Sequence, residues 1–190
     1  MDEKAFFNIR LYFTGTVTFA IWGLLAWNHY HGGVPSHHIL ANKDLPEISN
    51  WWGGLLLPLL TWFLLYRIQK RVIRDINGNS ETVKFPKHIL YGFAGSLLFG
   101  VLLSIFFTLN YSDIPGYLLL GLIPLAMLFP IYRAECLLGF VIGMTFTFGA
   151  VLPTGIGSIL AIVCAILFLL VRPAILYIAS RISRTASSNK

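Results

Sequence analysis

Between Glu135 and Arg172 the chain carries no charged side chain. That stretch is too long for a single membrane crossing, which takes about 20 apolar residues. It is also too apolar for the surface of a soluble domain. Pro153-Thr154-Gly155 lies within it, and proline next to glycine favours a turn. The stretch therefore reads as two apolar helices folded back on each other. The rest of the chain repeats the pattern. Of its 190 residues 56% are hydrophobic and 12% charged, against about a quarter charged in a soluble domain. Such a chain cannot cover itself with polar groups, so lipid must be its solvent.

Six segments qualify as spans: about 7–28, 45–67, 88–110, 114–132, 133–152 and one starting near 157. The expected fold is all-α, a six-transmembrane-helix bundle forming one domain over residues 1–184, with a disordered basic tail at 185–190. Arg10 followed by an apolar run resembles a signal peptide. The run is long, however, and no small-x-small site closes it, so it reads as a retained first helix.

Basic residues set the expected orientation. With six spans, thirteen of the fourteen Lys and Arg fall on the side of the termini, and only Lys43 falls on the other. Positive residues stay cytoplasmic, which places both termini inside and the segment after the first span outside. The net charge of +6 is thus an orientation and headgroup signal, not a nucleic-acid footprint. The expected location is the cell (inner) membrane, with membrane lipids as partners.

Small residues recur every fourth position in the later spans: Gly92, Ser96, Gly100, Ser104 and Thr108; Gly139, Gly143 and Thr147; Gly157, Ala161 and Ala165. Such rows let helix backbones approach closely. They predict a tight bundle core rather than a ligand groove or an oligomer seam, although a homo-oligomer is compatible with them. Glu135 and Arg172 lie at similar depth on the inner side. An unpaired charge in lipid is costly, so the two are expected to pair.

Chemistry concentrates in one loop. Four of the five histidines, His29, His31, His37 and His38, fall between the first two spans, with Asp44 and Glu47 close behind. Imidazole and carboxylate are what a zinc, iron or copper site uses. The expected ligand set for a divalent transition metal, zinc foremost, is His31, His38 and Asp44, with His29 and His37 as alternates. Glu47 would be a catalytic general base or would support a ligand. Asp44-Leu45-Pro46-Glu47 also reads as a capped helix start, with Glu47 at the capping-box position. Interfacial histidines equally bond to headgroups and water alone. Ser36 as a nucleophile is less favourable, because adjacent residues do not easily reach nucleophile–base geometry. A haem held by His88 and the loop histidines is excluded by depth. Trp27, Trp51 and Trp52 flank the segment, at the headgroup level tryptophan prefers. Cys136 and Cys164 read as buried small residues, not as a disulfide or thiolate site.

Two functions follow as expectations. One is a metal-binding membrane hydrolase or oxidoreductase acting on a lipidic or interfacial substrate. The other is a non-enzymatic transporter or facilitator of a small or lipidic solute, or an assembly partner in a membrane complex. No Asp, Glu, Lys or His lies near the middle of a span, which disfavours ion-coupled transport.

Overall fold

The computed structural model describes residues 3–38, 47–77, 86–111 and 113–188. It is almost wholly helical. Among these residues seven α-helices follow in order: α1 (Glu3–Tyr30), α2 (Gly53–Asn77), α3 (Lys87–Thr108), α4 (Ile114–Leu128), α5 (Ala134–Phe148), α6 (Val151–Ile166) and α7 (Arg172–Ser188). A two-stranded antiparallel hairpin, β1 (Ser36–His38) with β2 (Glu47–Ser49), and a 3-10 turn over Asn50–Trp52 join α1 to α2. A π-helical segment, Leu167–Val171, runs α6 into α7.

Among the described residues four helices are long and apolar enough to cross a membrane: Lys4–Tyr30, Asn50–Arg74, Lys87–Thr108 and Val151–Ser180. The other two apolar helices, α4 and α5, have 15 residues each. At 1.5 Å per residue each is about 22 Å long, against about 30 Å of hydrocarbon. Large apolar side chains cover the outside, with Phe19 84% and Phe146 80% exposed. That arrangement is stable only where the surroundings are themselves apolar.

The short helix α5 is the centre of the bundle. Glu135, Leu138, Gly139, Phe140, Val141, Met144 and Thr145 are all buried along it. Its neighbours are α3, α6 and α2. Phe140, Val141 and Met144 share a core with Ile21 and Leu25 of α1, Leu57 of α2 and Leu103 of α3.

The small-residue rows do what their spacing predicts. α3 and α5 are the most intimately packed pair, running parallel with Gly92 level with Glu135 and Gly100 level with Gly143. A Cβ added at Gly143 would lie 2.5 Å from the Leu97 carbonyl oxygen, and one at Gly100 would lie 2.7 Å from the Phe140 carbonyl oxygen. At Gly139 it would run into the Phe93 carbonyl and the Ser96 hydroxyl. Backbone touches backbone along this seam, so only glycine fits. α6 returns antiparallel, with Gly157 against Leu137 and Phe140.

Four boundaries differ from the sequence expectation. The second helix begins at Gly53, not near residue 45, because Glu47–Ser49 is used as a strand. Gly32 (φ 114°) and Gly33 (φ 97°) end α1 and turn the chain back. The Gly33 amide donates to the Asn28 carbonyl (2.9 Å), the closing bond of a helix C-terminal cap. Ser36–His38 then lies beside Glu47–Ser49, in the register Ser36↔Ser49, His37↔Ile48 and His38↔Glu47. Glu47 is therefore no capping-box residue.

At its other end α2 runs to Asn77, well into the segment expected to be loop. The reason is an apolar stripe, Leu64, Ile68 and Val72, that continues four residues apart. Ile68 and Val72 pack on Phe6 and Ile89. Arg10 pins α1 to the same stretch. Its guanidinium sits 4.0 Å from the Trp62 ring centroid and donates to Gln69 Oε1 (3.2 Å).

The break after α5 falls at Gly149 (φ 69°) rather than at Pro153-Thr154-Gly155. Asn50 fills the space where a Gly149 side chain would stand. Pro153 lies in the first turn of α6, where its missing N–H costs nothing. The π-helical segment ends two residues before Pro173, and a proline ring inside a helix clashes with the carbonyl four residues back. α7 continues to Ser188, so the backbone of 185–188, expected to be tail, is helical.

Candidate functional site

Two places hold the polar chemistry. The first is the hairpin cap. His29 belongs to the last turn of α1 and His31 to the turn that follows, so they do not share the face an extended segment would give them. Each ring is engaged with tryptophan. His31 stacks on Trp27 at 3.9 Å between centroids, and its Nδ1 is 2.9 Å from the Trp27 carbonyl oxygen. His29 meets Trp51 edge to face at 6.0 Å. Glu47 is exposed and accepts a hydrogen bond from Ser36 Oγ (2.6 Å). His37 and His38 lie on β1, with His38 paired in register with Glu47. Asp44 lies outside the described residues. No group of three His, Cys, Asp or Glu poised to hold a metal occurs among the described residues.

The second place is inside the bundle. Glu135, 2% exposed at the start of α5, accepts two hydrogen bonds from Arg71 Nη2 of α2, both 2.8 Å. Arg71, not Arg172, is thus its partner. Arg172 instead sits over its own helix's Phe168 ring at 4.7 Å. The buried carboxylate is paired, as its cost in an apolar interior requires. Depth alone does not say which cation is the neighbour; the packing of α2 on α5 does. Arg71 lies three residues beyond Ile68 and one before Val72, which places it at the edge of the buried stripe.

Next to this ion pair is a cavity of about 460 Å³ between α3, α4, α5 and α6. Its walls are almost wholly apolar, with Phe99, Leu122, Phe140 and Leu160 among them. The charged and imidazole groups occur at one end: His88 in the first turn of α3, and Arg133 and Glu135 at the start of α5; the Ser96 hydroxyl, farther along α3, is spent on the Gly92 and Phe93 carbonyls. Glycine makes the room. A Cβ at Gly95 would meet nothing within 4 Å. Both cysteines, Cys136 and Cys164, line the same space as free thiols.

The ends of the bundle can be assigned from these contacts. Arg10, Gln69, Arg71, His88, Arg133 and Glu135 gather at one end. Gly53 meets Ala150 at the other, beside the hairpin cap. The cavity therefore opens its polar end toward the basic side and reaches inward among apolar side chains. Volume and lining match those of pockets for small apolar ligands, about 300–1,000 Å³ with few placed polar groups.

In the sequence the row from Gly92 to Thr108 reads only as packing. That holds for Gly92, Ser96 and Gly100, which meet α5. Gly95 is out of phase with the row by one position, and this offset is the one signal in the sequence that α3 has a second small-residue face. No known protein family, characterised protein or solved structure matches the chain.

Proposed function

We propose that this chain is a six-span protein of the inner membrane, with both termini cytoplasmic, that binds a lipidic molecule in the cavity between α3, α4, α5 and α6. The cavity is the observation that carries the reading. It is a largely apolar space inside a bundle whose outer surface is itself apolar, so a ligand dissolved in the bilayer meets no aqueous barrier on the way in. Basic residues at the polar end support the orientation, since they belong on the cytoplasmic side. Helices α4 and α5 complete the six spans. Their shortness is offset by the polar connections at their ends and by local thinning of the bilayer. The role is that of a binder or facilitator rather than an ion-coupled transporter.

A lipid carrying a photoactivatable group in its acyl chain tests this. Irradiated in membranes, it should label peptides containing Gly95–Phe99 or Leu160–Cys164, and Gly95→Leu should abolish that label. Labelling confined to the outer faces of α1 and α6 would refute the binding site. A single cysteine introduced as Ser36→Cys, after replacement of Cys136 and Cys164, should react with an impermeant maleimide from outside only. Reaction only from the cytoplasm would reverse the orientation.

One observation favours a second reading. The hairpin sets the His37-His38 strand beside the Glu47 strand, with Asp44 in the connection between them. In that reading His31, His38 and Asp44 hold a divalent transition metal such as zinc, with His29 and His37 as alternates, and Glu47 acts as general base on an interfacial substrate. Protein purified without a histidine tag should then carry stoichiometric metal. His38→Ala and Asp44→Ala should lose it and Lys43→Ala should keep it. Metal-free wild-type protein would dismiss the reading.

A further inference from the structure

Resting on the cavity reading above, we propose that the ligand is a single-chain anionic amphiphile, its acyl chain in the cavity and its carboxylate or phosphate at Arg133 and His88.

The charges at the polar end carry this. Three charged groups approach it: Arg71, Arg133 and Glu135. Two of them cancel, because both Glu135 oxygens are taken by Arg71 Nη2 at 2.8 Å. Arg133 has no carboxylate partner among the described residues, and it lines the cavity. The local balance at the mouth is therefore one uncompensated guanidinium. His88, exposed and also lining the cavity, has a ring N–H to donate in either tautomer. A guanidinium beside a low-dielectric space favours an anionic oxygen over a hydroxyl, since hydrogen bonds to charged groups are the stronger ones.

The backbone leaves Arg133 free for this task. As the residue capping α5, it uses its carbonyl, which accepts from the amides of Cys136 (2.9 Å) and Leu137 (3.1 Å), and its side chain makes no capping bond. Loss of the guanidinium need not loosen the helix. The volume of about 460 Å³ lies toward the lower end of small-ligand pockets and suits one chain rather than two. Depth agrees. The lining residues of α3 run from His88 to Phe99, eleven positions, or about 16 Å along the axis. The chain thus lies along α3 with its head at the membrane's cytoplasmic surface, where anionic single-chain lipids present theirs.

The test is competition against a fluorescent long-chain fatty acid on the purified full chain in a non-ionic detergent. Laurate and dodecyl phosphate should displace the probe at concentrations about tenfold lower than dodecanol, the margin of a charge-assisted hydrogen bond. Arg133→Gln should erase that margin by weakening the two anions and leaving dodecanol unchanged. Arg133→Lys should restore part of it. Gly95→Leu, which fills the space, should weaken all three alike, and its thermal midpoint should match the wild type. Equal displacement by laurate and dodecanol, unmoved by Arg133→Gln, would overturn the anionic head while leaving the cavity reading intact. Undiminished binding in a folded Gly95→Leu protein would overturn the cavity reading and this proposal with it.

Discussion

The hairpin cap and the α3–α5 seam are the two most distinctive regions of the molecule, and they differ in what holds them. The cap carries nearly all the histidine and most of the tryptophan, yet its described polar contacts are local and exposed. Ser36 bonds Glu47, and His31 lies on Trp27 one turn back. The seam carries almost no polar atoms. Its glycines bring two backbones into contact, and it ends at a buried ion pair and a cavity. Residue types rich in chemistry therefore mark the surface of this protein. The absence of side chains marks the seam, where backbones meet, and at Gly95 the edge of the space where a ligand has room.

If that contrast is right, the largest stability effect comes from the inner end of the seam. Arg71→Leu leaves a Glu135 carboxylate unpaired at 2% exposure. Breaking such a pair costs about 3–5 kcal/mol. Arg71 is itself 28% exposed, so the lower end of that range applies. The thermal midpoint in detergent should drop sharply, and the double variant Arg71→Leu with Glu135→Leu should recover most of the loss. Arg172→Leu should cost far less, because its partner is a ring and not a buried charge.

The next effect separates two glycines on one helix. Gly100→Leu forces α3 away from α5 and should cost about 1–3 kcal/mol, as overpacking does. Gly95→Leu points into the cavity and should leave the midpoint within about 0.5 kcal/mol. Equal penalties at the two sites would mean that the cavity is not open space.

Gly149→Ala tests the far end of α5. A φ of 69° disfavours any side chain, and Asn50 occupies the volume a methyl would need. A loss of about 1–3 kcal/mol is expected, and Asn50→Ala in the same background should relieve part of it.

The cap should respond least. Ser36→Ala removes one exposed hydrogen bond to Glu47 and should change stability by less than about 1 kcal/mol. A larger loss would mean that the hairpin is a structural element of the bundle and not a cover over it.

The same contrast explains what was legible in the sequence. Apolar runs and small-residue spacing are local, repeated signals, and they led correctly to an all-helical apolar bundle and to the face on which α3 packs. Helix ends depended on partners. Glu47 looks like a capping residue until Gly32 and Gly33 turn β1 back alongside it. Residues 69–77 look like a polar loop until Ile68 and Val72 find Phe6 and Ile89. Pro153 looks like the break because proline is the stronger local signal, yet Gly149 is where the backbone needs left-handed geometry. The partner of Glu135 required knowing which helix lies beside α5. The cavity was least visible, since a space is made by residues that are small or turned away, and Gly95 differs from the packing row by a single position.

Native mass spectrometry of the protein released from its own membrane tests most directly that this space is a ligand site. Wild-type protein should retain one lipidic molecule per chain through detergent exchange, and Gly95→Leu, equally folded, should retain none. Wild-type and variant proteins with identical masses after correction for the substitution, or a bound molecule that survives Gly95→Leu, would contradict it.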